Sequence, residues 1–422
     1  MREMKDSGIS WVGEIPKEWR CLPIRALFTE NRNKNFLGRE TKALQFKYGT
    51  IVPKKNFDPE ENYVAETILN YNIVDRGMIM LNGLNLNFDF VSKRIALVAE
   101  RGIITSAYMS FYPTDTTIVL SEYANYLLKS YDNCAAFHNM GGGVRKILNF
   151  DELKRQYFVL PPLDEQQRIA EFLDREFGKI HGIEEDIQSQ IDTLEQYKRS
   201  VITEAVTHGL NPSAPMKDSG AGWMPLIPLH WKADKLKFHL RQRGIKNQID
   251  KQVLSLYREY GIVPKDSRDD NHNVTSEDVS DYRYVRVGDF VVNKMKAWQG
   301  SVAVSNYEGI VSPAYFVYEF SDDLINKRYF HYLMRNKTYA TEFRRLSGGI
   351  REGQWDLPSE ALNNTIILLP SLDEQQEIAD YLDNKCAEIE QIIADKKSQI
   401  ETLDGYKKSL IYEYVTGKKE VG

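Results

Sequence analysis

The chain has 422 residues, of which 42% are hydrophobic and 27% charged; this composition is typical of folded globular proteins, and the length predicts more than one hydrophobic core. It has no run of eighteen apolar residues and no apolar signal core at its first residues, so we expect a cytoplasmic protein without a membrane span. The net charge of −5 does not by itself indicate a nucleic-acid partner, and the three scattered cysteines argue against a disulfide framework.

Residues 1–160 form a first block with mixed secondary-structure signals. Runs of β-branched and aromatic residues at 71–81, 91–99 and 117–120 favour short strands, whereas the apolar spacing over 122–137 favours a helix. Glycines and prolines separate these runs. The block is therefore predicted to be a compact domain of mixed α/β or α+β structure.

A long helix is predicted over 164–208, within a segment that we bound at 161–211. Two prolines end the preceding strand, and Asp164 with Gln167 has the spacing of a capping box. Apolar residues then recur at an average spacing near 3.5, which is typical of a coiled-coil seam and not of a globular helix face. The seam comprises Ile169, Leu173, Phe177, Ile180, Ile183, Ile187, Ile191, Leu194, Tyr197 and Val201.

The same signals return after a second block, residues 212–369. A second helical segment at 370–422 contains residues 373–417, which match 164–208 at 23 of 45 positions. The second block also repeats landmarks of the first, since YGTIVPK becomes YGIVPK and GGVR becomes GGIR. We therefore predict a pseudo-two-fold repeat of two mixed α/β domains and two long helices that form a coiled coil, with antiparallel pairing favoured. The second seam includes Ile378, Leu382, Cys386, Ile389, Ile392, Ile400, Leu403, Tyr406 and Leu410.

The charge is distributed unevenly between helices and blocks. Each of the stretches 164–208 and 373–417 holds 11 acidic and 5 basic residues, a net charge of −6, which leaves +7 on the other residues. Only the basic part of a protein needs to face phosphate. Two basic blocks in one two-fold chain suit double-stranded DNA, a partner that is itself roughly two-fold.

No catalytic signature accompanies this layout. GGGVRK from Gly141 lacks the ending of a phosphate-binding P-loop, LPPL from Leu160 is not the tetrapeptide of adenine methyltransferases, and the seven histidines lack metal-ligand spacing. We therefore predict a non-enzymatic chain that binds no metal and no cofactor.

Candidate DNA-binding residues lie at matched places in the two blocks. Glycine-rich stretches from Gly141 and Gly348 end in cations, which can approach phosphates or contact guanine; a tight turn before a helix is the alternative reading. The stretch after a repeated strand is rich in amides in the first block and in cations in the second, although an ordinary polar loop would also explain it. The tryptophans of the repeated N-terminal phrase are predicted to pack in the core and not to stack on bases. The candidates are Lys54, Asn82, Asn85, Asn87, Arg145, Lys146, Lys265, Asn293, Lys294, Lys296 and Arg351, of which Lys54 and Lys265 are assigned to phosphate contacts.

Three repeated phrases give the chain a family resemblance. They are SG..W…IP..W from Ser7 and Ser219, LP.LDEQQ.IA..LD from Leu160 and Leu369, and I.TL..YK.S.I.E.VT from Ile191 and Ile400. In this combination the chain resembles the specificity subunit of type I restriction-modification systems over its whole length.

The resemblance implies a set of partners. Each block would be a target-recognition domain for one half of a split DNA target, and the two helices would form an antiparallel spacer that docks two methyltransferase subunits. Restriction (motor-nuclease) subunits would complete the complex. S-adenosylmethionine, ATP and Mg²⁺ would be bound by those partners, and this chain would carry no catalytic residue.

Two other functions are compatible with parts of the pattern. A coiled-coil scaffold with two protein-binding heads explains the helices but not the two divergent basic blocks. A fused restriction-modification enzyme would require catalytic motifs that the sequence does not contain. Salt-sensitive binding to duplex DNA distinguishes the DNA-binding reading from the scaffold.

Overall fold

The computed structural model describes residues 2–55, 57–58, 68–142, 146–258, 260–267, 275–276, 278–349 and 355–421. The chain divides into two compact units: unit 1 comprises residues 1–187 and 397–422, and unit 2 comprises residues 188–396. Each unit therefore combines one block with parts of two long helices. The segment boundaries predicted after residues 160, 211 and 369 group the residues differently and stay a prediction.

Unit 1 is organised around a four-stranded antiparallel sheet. Its described strands are β1 (Met4–Asp6), β2 (Glu14–Pro16), β3 (Arg20–Pro23), β4 (Phe28–Glu30), β5 (Leu44–Lys47), β6 (Thr50–Pro53), β7 (Asn72–Val74), β8 (Ile79–Leu81), β9 (Ile95–Leu97), β10 (Gly102–Ile104), β11 (Met109–Pro113) and β12 (Tyr157–Leu160), with helices α1 (Ser121–Asn133) and α2 (Phe150–Leu153). The central order is β4-β11-β8-β9, and the pairs β1-β2, β3-β12, β5-β6 and β7-β10 surround it. Phe111 pairs with Ile79, which pairs with Leu97, and all three strands contribute apolar side chains to buried clusters.

The part of unit 2 outside the long helices repeats this plan strand for strand. Its described strands are β13 (Met216–Asp218), β14 (Leu226–Pro228), β15 (Lys232–Lys235), β16 (Leu240–Arg243), β17 (Leu254–Tyr257), β18 (Gly261–Pro264), β19 (Arg283–Val285), β20 (Phe290–Asn293), β21 (Val302–Val304), β22 (Gly309–Val311), β23 (Tyr315–Phe320) and β24 (Ile366–Leu369). The central order is β16-β23-β20-β21, with the pairs β13-β14, β15-β24, β17-β18 and β19-β22. The predicted internal repeat of mixed α/β structure is confirmed.

The local predictions in the first block are only partly right. The run 71–81 forms β7 and β8 with a turn between them. The strand predicted at 117–120 is wrong, because Asp115 Oδ1 accepts the Thr117 amide at 2.8 Å and bends the backbone into a turn. The helix predicted over 122–137 is α1, which already ends at Asn133, and a short 3-10 helix follows it at Ala136–Asn139.

Two long helices run through both units. They are α3 (Leu163–His208) and α7 (Leu372–Val415), separated in the chain by the second block, whose own helices are α4 (Lys327–Arg335), α5 (Lys337–Leu346) and α6 (Ser359–Asn363). In unit 1 the rings of Phe172 and Tyr414 lie 4.4 Å apart, and Lys407 Nζ binds Glu184 Oε1 at 2.7 Å. Partners further along α3 lie earlier on α7, so the segments run antiparallel.

The helix segments in unit 2 show the same direction. Lys198 forms an ion pair with Glu390, and Lys396 donates to Gln190. The predicted antiparallel pairing of the two helices is therefore present in each unit.

Most predicted seam residues are shielded from solvent. Leu194, Ile400 and Leu403 are partly buried, whereas Ile169, Leu173, Ile180, Ile187, Ile191, Ile378, Leu382 and Ile389 are buried. The prediction of a continuous buried seam is wrong at four positions, since four predicted seam residues are exposed: Ile183, Tyr197, Ile392 and Tyr406. A helix with 3.6 residues per turn drifts relative to a 3.5-residue repeat, so a regular apolar series leaves the contact line at some positions.

The capping boxes predicted at both helix starts are wrong. Helix α3 already begins at Leu163, and Gln167 Nε2 donates to Glu171 at 2.8 Å. On α7, Ser371 Oγ accepts the Glu374 amide at 3.3 Å, so Ser371 supplies the side-chain cap. Each helix begins one residue earlier than its aspartate, which therefore lies in the first turn and outside the cap position.

The buried glutamine of each LDEQQ phrase ties its helix to the neighbouring loop. Gln166 accepts the Leu120 amide at 3.0 Å and donates to the Ile118 and Pro161 carbonyls at 2.9 and 3.0 Å. Gln375 repeats this set in unit 2, with the Asn326 amide at 2.8 Å and the carbonyls of Leu324 and Pro370 at 3.0 Å. The glutamine amide satisfies backbone groups that would otherwise be buried without a partner.

A fully buried tryptophan in each unit contacts the ends of both long helices. Trp19 Nε1 donates to Glu165 at 2.9 Å, near the start of α3, and its ring lies 3.1 Å from a Cβ built at Gly417, just after α7. In unit 2, Trp231 Nε1 donates to Glu374 at 3.0 Å and its ring approaches the corresponding site at Gly209. These contacts explain why the tryptophan phrase, the LDEQQ phrase and the glycine after each helix recur together, and they confirm that these tryptophans pack in the core.

Candidate nucleic-acid interface

In unit 1 the structure brings together two loops that the sequence marked separately. The strand loop of unit 1, residues 82–94, connects β8 to β9, and the glycine loop of unit 1, defined by the described residues 140–142 and 146–149, precedes α2. The Leu86 amide donates to the Lys146 carbonyl at 3.1 Å, and the Leu148 amide donates to the Gly83 carbonyl at 2.9 Å. A Cβ at Gly83 would lie 2.3 Å from the Leu148 carbonyl oxygen, so only glycine allows the loops to approach this closely.

Unit 2 pairs the equivalent loops in the same way. The strand loop of unit 2, residues 293–301, starts at the last residue of β20, and the glycine loop of unit 2, defined by the described residues 347–349 and 355–357, follows α5. The Leu357 amide donates to the Lys294 carbonyl at 2.9 Å, and Lys294 Nζ lies 3.2 Å from Asp356 Oδ2. The rings of Trp298 and Trp355 lie 5.6 Å apart across the same junction. The paired loops therefore form a matched candidate site in each unit.

The candidate residues of the first strand loop differ in their exposure and in their hydrogen bonds. Asn85 is exposed in a left-handed conformation with φ of 53°, which asparagine tolerates better than most residues. Asn82 is partly buried, and its Oδ1 accepts the Leu84 amide at 3.1 Å. Asn87 is also partly buried, as is Lys146 in the adjacent glycine loop. The exposed amide of Asn85 is the best placed of these to meet a ligand.

The second strand loop presents cations in place of amides. Asn293 is 8% exposed, and its Oδ1 accepts the Met295 amide at 3.2 Å, so the side chain shapes the loop from inside and presents no amide at the surface. Lys294 is partly buried by its ion pair with Asp356, whereas Lys296 is exposed.

The predicted phosphate-binding lysines lie on hairpins. Lys54 follows the β5-β6 hairpin and stands over the Phe57 ring at 5.2 Å. Lys265 follows the β17-β18 hairpin and its Nζ donates to Thr275. The described contacts do not connect either lysine to the paired loops. The predictions for Arg145 and Arg351 fall outside the described residues.

Sequence reasoning missed Arg94 and the exposed apolar tip of the first strand loop. Arg94 is fully buried and its guanidinium donates to the carbonyls of Asn82, at 3.1 Å, and Leu84, at 2.8 Å, as well as to that of Asp89. The run of β-branched residues predicted a strand over 91–99, of which the structure forms only β9 at Ile95–Leu97. The signal that could have been noticed is the density of asparagine, glycine and aspartate in the segment, which favours a loop.

The electrostatics of this loop are set by Asp89 and Arg94. Hydrogen bonds from Ser92 lower the pKa of Asp89, with smaller help from the Val91 amide and the Arg94 charge. The Asp89 carboxylate accepts the Val91 and Ser92 amides at 3.2 and 2.9 Å. Its negative charge is therefore engaged by the loop itself.

The described part of the chain contains neither a candidate metal site nor a membrane-spanning helix. Among those residues, no three His, Cys, Asp or Glu side chains are grouped so that they could hold a metal ion. No described helix has the length and apolar character to cross a membrane.

The chain matches known proteins along almost all of its length. The family model described as the type I restriction modification DNA specificity domain matches residues 95–193 and 245–402. The chain is 21% identical to the putative type I restriction enzyme MjaX specificity subunit of Methanocaldococcus jannaschii, across 97% of this chain and 96% of that protein.

A solved structure from a type I R-M system shows the same fold. A chain from a structure described as the basis of complex assembly and conformational transition of the type I R-M system superposes with a TM-score of 0.66 at 14% identity, covering 96% of this chain and 99% of that one. The HsdS subunit from Thermoanaerobacter tengcongensis has a TM-score of 0.49 at 16% identity, covering 96% of this chain and 98% of that subunit.

Proposed function

We propose that this chain, which belongs to the type I restriction-modification DNA specificity family, reads a bipartite DNA target with one unit for each half-site. The observation that carries the proposal is the recurrence of the paired strand loop and glycine loop at matched places on two copies of one fold. The framework is retained in both units, whereas the side chains on the loops differ. Two similar frameworks with different surfaces are suited to reading two different sequences.

The charges of the loops support contact with duplex DNA. Lys296 is exposed on the strand loop of unit 2, Lys93 is exposed on that of unit 1 with its Nζ 3.3 Å from Asp404 Oδ1, and the chain outside the long helices carries a net charge of +7. Positive groups position a protein on phosphates, and exposed amides and cations next to them can reach base edges. Specificity subunits of this family are non-catalytic, so methylation and cleavage require other subunits.

The long helices are proposed to dock two methyltransferase subunits and to set the gap between half-sites. Unit 1 exposes Ile183 and Tyr406 on its helix segments, and unit 2 exposes the repeat-related Ile392 and Tyr197. Equivalent apolar residues in both units suit two copies of one partner. Restriction (motor-nuclease) subunits would join this complex, and S-adenosylmethionine, ATP and Mg²⁺ would be bound by the partners.

The decisive experiment is a methylome. The chain is co-expressed with its methyltransferase subunit in a host that lacks other adenine methylation, and the DNA is sequenced by a method that detects the modification. We expect one bipartite motif that is methylated once in each half, on opposite strands. The absence of methylation, with both proteins soluble and associated, would refute the DNA-reading function and favour a protein-binding coiled-coil scaffold.

The spacer role has its own test. A four-residue insertion after Ser189 in α3 is expected to change the tolerated gap between half-sites and to leave the bases read in each half unchanged. A methylome with an unaltered gap would contradict the role of the helices as a ruler, even if the motif itself were bipartite.

A further inference from the structure

The strand loop of unit 1 carries an exposed apolar surface. Phe88 is 73% exposed, Phe90 68% and Val91 92%, within four consecutive residues. Single exposed apolar residues are common on protein surfaces, whereas a contiguous group marks an interaction site. The equivalent loop of unit 2 exposes Met295 beside the cation of Lys296. The apolar surface is therefore a property of one unit and not of the shared framework.

Hydrogen bonds of the buried Arg94 stabilise the conformation of the loop that presents this surface. Arg94 is fully buried, and it satisfies three loop carbonyls with its guanidinium while its own amide donates to Asp132 Oδ2 at 2.7 Å. A buried guanidinium is costly unless it is paired, so these bonds favour a single loop conformation. Phe90 is further oriented by stacking on His138, with ring centroids 4.6 Å apart and planes 11° apart.

The charges around the surface favour a polyanionic partner. Asp89 is the only acidic residue between positions 82 and 94, and its carboxylate is turned towards the Val91 and Ser92 amides. Lys93 is exposed at the edge of the apolar group, and its Nζ forms an ion pair with Asp404 Oδ1 on α7 at 3.3 Å. The outward side chains are therefore apolar, amide or cationic, and the surface continues directly into the paired loops of the candidate DNA site.

We propose that Phe88 and Val91 contact the C5-methyl groups of thymines in the major groove and select at least one A·T pair in the half-site read by unit 1. The inference rests on the proposed function, because it specifies what one of the two DNA-reading sites recognises. The thymine methyl is the apolar group that bases present in the major groove of unmodified DNA, and apolar side chains are its usual contacts. The adjacent exposed amide of Asn85 can hydrogen-bond to the adenine of such a pair.

The test removes the methyl group from the DNA and the apolar side chains from the protein. The complete complex with methyltransferase subunits is titrated with duplexes of the motif found in the methylome, with thymine or uracil at each A·T position of one half-site. We expect the wild-type complex to bind the thymine duplex about threefold to fourfold more tightly at the contacted position, which corresponds to burial of one methyl group. The double variant Phe88→Ala, Val91→Ser should bind the two duplexes equally.

A matched control is available in the same unit. Phe36 is 70% exposed, and no described contact places it near the strand loop, so Phe36→Ala should keep the thymine preference of the wild type. A thymine preference that survives in the double variant, or equal binding of the wild-type complex to the thymine and uracil duplexes at every A·T position, would overturn the inference while leaving the bipartite reading intact. Loss of methyltransferase association in the double variant, with the thymine preference unchanged, would assign the surface to a protein partner and also overturn it. A wild-type complex that binds no duplex would refute the proposed function itself.

Discussion

Replacing Gln166 by methionine should selectively destabilise unit 1. The two side chains have similar length, but methionine can replace none of the three hydrogen bonds that the buried amide makes. The Leu120 amide would lose its partner, and the Ile118 and Pro161 carbonyls would each lose a donor. The substitution therefore changes hydrogen bonding at the helix start with little change in packing volume.

The magnitude follows from the three lost bonds. A buried donor without an acceptor costs about 1–3 kcal/mol, and each carbonyl that loses a donor adds a smaller cost because it has a second lone pair. Burial of the apolar thioether returns about 1 kcal/mol. We expect a net loss of about 3 kcal/mol in the free energy of unfolding of unit 1, which is a large fraction of the stability of a typical domain.

The next residue in the sequence supplies the control. Gln167 is exposed and its side chain donates to Glu171 on the same helix, so Gln167→Met should change stability by less than about 0.5 kcal/mol. Hydrogen exchange followed by mass spectrometry can compare peptides covering residues 116–122 with those covering 322–328 in unit 2. Gln166→Met should accelerate exchange roughly hundredfold in the first set and leave the second unchanged.

Exchange data can refute this reasoning in two ways. Similar small effects of the substitutions at 166 and 167 would show that the buried amide contributes little. Equal acceleration of hydrogen exchange in both units would show that the stabilisation by the Gln166 hydrogen bonds is not confined to unit 1. Gln375→Met should give the reverse pattern, with the faster exchange in unit 2.

Three further predictions concern pH, the strand loop and salt. Burial, reinforced by the charge of Arg335, lowers the pKa of His331 to about 4, so His331 stays neutral in the folded state, whereas in the unfolded chain it binds a proton below its ordinary pKa near 6.5. Unit 2 should therefore lose up to about 3 kcal/mol of stability as pH falls from 6.5 to 4. Urea titrations at several pH values should show that His331→Gln removes this pH dependence. Arg94→Met leaves three loop carbonyls without their donor and should relax the half-site read by unit 1 by roughly tenfold or more in methylation assays, whereas equal relaxation of both half-sites would contradict a local effect. Binding of the complex to duplex DNA should weaken at least about tenfold between 50 and 200 mM salt in a fluorescence titration, and a salt-independent affinity would contradict phosphate contact.

The internal repeat and the long helices were predictable because their signals are local. Residues 164–208 and 373–417 match each other directly, and a seam repeating every three or four residues specifies a helix without knowledge of its partner. Strand predictions were less reliable where a single side chain decided the backbone, as at Asp115. Short apolar runs leave the choice between strand and turn to such contacts.

The amino-acid sequence by itself determined the two-fold organisation, the mixed α/β character of each block and the existence of two paired long helices, since repetition and periodicity are properties of neighbouring residues. Only the tertiary structure decided that Gln166 is buried while Gln167 is exposed, and that the Asn293 side chain faces into its loop. It likewise decided that the strand loop meets the glycine loop some 60 residues away, where the bond from the Leu86 amide to the Lys146 carbonyl forms. These features depend on contacts between residues that are far apart in the chain. Two residues of the same type can therefore be adjacent in the sequence while only one of them is buried.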